Sequence, residues 1–67
     1  MMTNEQIEVL ARYIIFLRGR HDEYYTDGWE DMVEYIGAKL EAAREIAVAF
    51  ECRAAVFRKV EELEGMR

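Results

Sequence analysis

Cys52 and His21 are the chain's one cysteine and one histidine, the first residues to weigh for nucleophilic chemistry. A reactive thiol needs a neighbouring base, a helix terminus or a cation to lower its pKa. Cys52 instead follows Glu51 within a run of helix-forming residues, which predicts a half-buried structural thiol. His21 reads as a surface residue near the end of a helix. One cysteine with one histidine cannot complete a structural zinc site, and a lone cysteine cannot close an internal disulfide. Acids around Gly28 invite a calcium-loop alignment, with Glu23 at position 1, Tyr25 at 3, Asp27 at 5 and Glu34 at 12. Tyr25 is no carboxylate or amide ligand, so the match reads as coincidence. There is no phosphate-binding glycine loop and no paired metal-ligand motif. The residues therefore predict no catalytic site, no metal, no cofactor and no enzyme activity.

The stronger signal is the distribution of charge. The 67 residues carry 9 Lys and Arg against 14 Asp and Glu, a net charge of −5. In residues 21–41 seven acids (Asp22, Glu23, Asp27, Glu30, Asp31, Glu34 and Glu41) face Lys39 alone, a local charge of −6. Tyr24, Tyr25, Trp29 and Tyr35 lie in the same segment. Acids interleaved with large aromatics suit docking on a basic, partly apolar protein surface, because aromatics supply hot spots and acids steer association. Asp22, Glu23, Tyr24, Tyr25 and Asp31 are the candidate partner-binding residues. The structural reading stands beside this one: acids at a helix N-terminus stabilise that helix anyway, and Trp29 can be core. Direct nucleic-acid binding, which needs a basic surface, is disfavoured.

Helices must position these groups. Zero proline and good helix formers throughout predict an all-α chain and one domain over 1–67. Thr3 to Gln6 reads as a capping box. A first helix is expected over about 4–20, with Ile7, Leu10, Ile14 and Leu17 on one stripe. Val9, Tyr13 and Phe16 form a second stripe, so this helix should be contacted from two directions. A polar connection follows around residues 21–26, although continuation of the helix into Tyr24 stays open. Asp27 as N-cap with Glu30 three residues on starts a long second helix, about 28–64, ending before Gly65. Gly37, its one internal blemish, is the place where a bend is expected.

Trp29, Val33, Ile36, Leu40, Ala43, Ala47, Phe50, Ala54 and Phe57 alternate in steps of four and three along this helix, the pattern of a coiled-coil-like seam. Ile46, Ala49, Val56, Val60 and Leu63 make another stripe. A first helix of ~25 Å covers only half of a second of ~55 Å. The expected closure is a homodimer of helical hairpins, joined through Leu40, Ala43, Ala47, Phe50, Ala54 and Phe57 into a helical bundle. A chain this small needs such a supplement to its own core. No apolar run approaches a membrane span, and no signal peptide is recognisable, so a cytoplasmic protein is expected.

The stretches Met2-Thr3-Asn4-Glu5-Gln6-Ile7 and His21-Asp22-Glu23-Tyr24-Tyr25-Thr26-Asp27-Gly28-Trp29, with the size and helix plan, give the chain a family likeness. It resembles the small acidic early proteins of lambdoid phages, encoded between the exonuclease and excisionase genes. The resemblance is one of overall character and transfers no functional residues. It implies a non-enzymatic helical protein that alters host physiology and the lysis–lysogeny balance by contacting host proteins. The sequence therefore reads as a small protein-interaction module or regulator, a homodimer with an unidentified host protein as second partner. A structural or assembly subunit and a DNA-mimic inhibitor are the rivals. The neutral balance of residues 42–67 counts against the mimic, and their interleaved acids count against a DNA-binding regulator.

Overall fold

A computed structural model describes residues 2–66. The described residues are all-helical, with three helices among them where the sequence predicts two: α1 (Asn4–Asp27), α2 (Glu30–Ala49) and α3 (Arg53–Gly65). The capping box forms as expected. Gln6 N–H donates to Thr3 Oγ1 at 3.1 Å, and Thr3 N–H donates to Gln6 Oε1 at 2.8 Å. Two donors that the first helical turn leaves orphaned are thereby satisfied.

The first correction concerns the turn between α1 and α2. Residues 21–26 are helical, and Asp27 is the last residue of α1 rather than the N-cap of α2. Gly28 takes a left-handed backbone, φ 77°. Its N–H reaches Tyr25 C=O at 3.3 Å, and Trp29 N–H reaches Tyr24 C=O at 2.9 Å. These two reversed bonds are a Schellman closure, which satisfies the last carbonyls of α1. Its customary hydrophobic contact is present too, with the Tyr24 and Trp29 rings 6.3 Å apart. Glycine adopts this conformation without a Cβ penalty. With no side-chain cap on α2, Glu30 and Asp31 in its first turn complement the helix dipole.

The second correction is larger. The expected helix over 28–64 continues unbroken through Gly37 and breaks at Phe50–Cys52. The same closure recurs there without glycine. Glu51 is left-handed, φ 55°, its N–H bonds Val48 C=O at 3.0 Å, and Cys52 N–H bonds Ala47 C=O at 2.9 Å. The cause lies in the phase of the apolar residues. At 3.6 residues per turn, Cys52, Val56, Val60 and Leu63 fall on roughly the opposite side of a continuous helix from Ile36, Leu40, Ala43 and Ala47. One straight helix could bury only one of these stripes against α1. Breaking it buries both. Each fully buried valine contributes about 1.5–3 kcal/mol, which outweighs the about 1–2 kcal/mol that a left-handed non-glycine residue costs. Gly65 is likewise the last residue of α3 rather than a left-handed residue beyond it.

α1 packs against both α2 and α3, while the backbones of α2 and α3 scarcely approach each other. Leu10, Ala11 and Ile14 of α1 join Ala43 and Ala47 of α2, Cys52 of the α2–α3 turn, and Val56 and Val60 of α3 in the core. The Cα envelope measures 37 × 27 × 15 Å. A 27 Å width fits three helices side by side at about 10 Å spacing. The radius of gyration, 12.5 Å, exceeds the about 11 Å of a compact domain of this length. The protomer is thus a flattened three-helix arrangement, and the expected mismatch between a short and a long helix is absent.

Candidate functional site

The acidic and aromatic residues gather at the corner where α1 ends and α2 begins. Asp22, Glu23 and Tyr25 project from the last turns of α1, and Asp31 from the first turn of α2; all four are exposed. Trp29, read from the sequence as the start of the seam, is 61% exposed, and Tyr25 is 73% exposed. Trp29 N–H is tied to the end of α1, which turns its ring onto Tyr24 and away from the core. Tyr24 is half-buried under it. Tyr25 stacks on His21, ring centroids 6.5 Å apart and planes at 12°. Glu23 pairs with Arg20 at 3.0 Å, an exposed contact worth less than about 1 kcal/mol. A shallow depression beside the turn is lined by Asp27, Gly28, Trp29, Glu30, Asp31 and Met32. The corner therefore combines two accessible ring systems with a surrounding group of carboxylates. Its backbone is fixed by two helix termini, so the rings are presented on a rigid frame.

The expected dimer seam is divided by the break. Ala43 and Ala47 lie in the core, 2% and 0% exposed. Leu40 and Phe57 are half-buried against it, with Arg44 above the Phe57 ring at 5.9 Å. Phe50 and Ala54 remain exposed. The six residues do not form one surface, because Phe50 belongs to the turn while Ala54 and Phe57 belong to α3.

An exposed apolar row that the sequence assigned only to a second covering of α1 is instead prominent. Val9, Tyr13 and Phe16 are exposed on α1 beside Tyr35, Ile46 and Phe50 on the α2 side. Lys39 lies among them, its ammonium 4.8 Å from the centre of the Tyr35 ring. Its pKa is raised above the usual lysine value, first by the neighbouring Tyr35 hydroxyl and then by Tyr13.

Cys52 is buried in the α2–α3 turn, with Sγ 3.2 Å from Met2 Sδ and 3.5 Å from Ala47 C=O. Met2 precedes α1 and His21 lies in its C-terminal half, so roughly 28 Å along the helix axis separates the thiol from the imidazole. Residues 23–27 of the calcium-loop alignment are helical. Among the described residues no group of three His, Cys, Asp or Glu is placed to hold a metal ion. Nor is any described helix long and apolar enough to cross a membrane. No family model, curated protein or solved structure matches the chain.

Proposed function

We propose that this chain is a non-enzymatic protein-interaction module, phage-encoded, that presents its α1–α2 corner to a basic, partly apolar surface of a host protein in the cytoplasm. One observation carries the reading. Tyr25 and Trp29 stay exposed on a well-anchored turn, although a small protein gains by burying such rings, and they stand amid five carboxylates from Asp22 to Asp31. Exposed aromatics of this kind are typical hot-spot residues, and surrounding charge sets association rate and partner choice. The resemblance to lambdoid early proteins supports a host protein as the partner.

Charge reversal at Asp22, Glu23 and Asp31 tests the proposal. All three side chains are exposed, so thermal stability should change little apart from a few tenths of a kcal/mol at the α2 N-terminus. Capture of the partner from a host lysate should be abolished. Undiminished capture by the reversed variant would sink the proposal.

A further inference from the structure

Helical folds bury an apolar face against a second layer of structure. On one face of the α1–α2 pair, Val9, Tyr13, Phe16, Tyr35, Ile46 and Phe50 are each between 41% and 68% exposed. Met2 and Leu10 join Val9, Tyr13 and Phe50 around an apolar depression in this face. We propose that this face closes on a second copy of the chain, with α2 crossing antiparallel to α2 of that copy at Ala42. The proposal is independent of the corner and its partner.

Two features select a second copy as the occupant. The first is the order of side-chain sizes along α2. Tyr35, Ala38, Ala42, Ile46 and Ala49 share the exposed side of the helix in steps of three and four. Reversed about Ala42, Tyr35 falls opposite Ala49, Ala38 opposite Ile46, and Ala42 opposite itself. Bulk meets a small residue at the levels on either side of the axis, and alanine meets alanine on it, so the one surface can pair with itself about a two-fold axis. The second feature is area. At about 150–250 Å² per aromatic side chain, Tyr13, Phe16, Tyr35 and Phe50 leave roughly 300–500 Å² exposed per copy. Two copies, with Val9, Ile46 and the alanines added, reach roughly 1,200 Å², the lower edge of a stable interface. A weak, micromolar dimer is the corresponding expectation. Two cations edge this face, Lys39 over the Tyr35 ring at 4.8 Å and Arg20 over the Phe16 ring at 5.4 Å, each a cation–π contact.

The interface differs from the seam expected from the sequence, sharing only Phe50 with it. Both Ala42 and Ala55 are exposed helical residues, one on this face and one on α3, so arginine fits either site in a folded protomer. Sedimentation equilibrium of the whole chain from about 1 to about 100 µM should show mass rising from 7.9 kDa towards twice that value. Ala42→Arg should raise the dissociation constant roughly 30-fold or more, and Ala55→Arg should leave it unchanged. Cysteine scanning in a Cys52→Ala background provides a second test. Cysteine at 42 should oxidise readily to a disulfide-linked dimer, because self-opposed residues at a two-fold axis come within the about 4.4–6.8 Å Cα separation a disulfide needs; cysteine at 55 should not. A wild type that stays monomeric across the range, an Ala42→Arg protein that dimerises like wild type, or equal cross-linking at 42 and 55 overturns the proposal.

Discussion

Replacing Glu51 with glycine should stabilise the protein, and replacing Gly28 with alanine should destabilise it. Both residues are left-handed, at φ 55° and φ 77°, and both sit at the pivot of a Schellman closure. A side chain in this conformation costs about 1–2 kcal/mol, whereas glycine occupies it freely. Glycine also gives the unfolded chain extra freedom, which returns about 0.5–1 kcal/mol of that gain. The net expectation for Glu51→Gly is about 0.5–1 kcal/mol of stabilisation, a Tm increase of about 2–8 °C in a domain this small. Gly28→Ala should lower Tm by a similar amount. Thermal melts followed by far-ultraviolet circular dichroism measure both, at one fixed protein concentration because association would shift Tm. The sign is diagnostic. If residues 28–64 formed one continuous helix, glycine at 51 would sit in its interior and cost about 1 kcal/mol. A lower Tm for Glu51→Gly would refute the broken helix and the fold-back of α3 derived from it.

Two further substitutions probe the helices themselves. Gly37→Ala should stabilise by about 1 kcal/mol in a urea titration, since Gly37 is inside α2 and a Cβ there meets nothing within 4 Å; a loss of stability would show that α2 is not regular through that point. Ile14→Ala should cost about 2–5 kcal/mol, because Ile14 is 1% exposed in the core cluster. As a core this small supplies about 3–5 kcal/mol in all, most of the variant should be unfolded near body temperature; a melt close to wild type would show that α1 does not pack through this side chain.

How much was legible in the sequence depended on whether a boundary had its own residue chemistry. Thr3 and Gln6 advertise their capping box through type and spacing alone, and the box forms. Gly28 marks a boundary correctly, but Asp27-Gly28 admits two readings. Asp27 suggests a helix start, whereas the hydrogen bonds of Gly28 and Trp29 make the dipeptide a helix end. That difference of one element turned Trp29 from expected core into exposed surface. The break at Glu51 had no glycine or proline to announce it. Its trace was the stripe of Val56, Val60 and Leu63, whose phase conflicts with Ala43 and Ala47 on any straight helix. Weighing the two stripes against each other would have located the turn. The acidic and aromatic residues of the corner were recognisable from composition, yet their rigid presentation depends on helix termini that local sequence did not resolve.

The proposal at stake is that the α1–α2 corner holds a protein partner. Quantitative affinity capture from a host lysate, comparing the wild type with the Asp22, Glu23 and Asp31 charge-reversed chain at matched helical content and two salt concentrations, tests it most directly. The expected result is a partner retained by the wild type, weakened by added salt, and lost on charge reversal. A partner retained equally by both chains, or no saturable partner for the wild type, would contradict it.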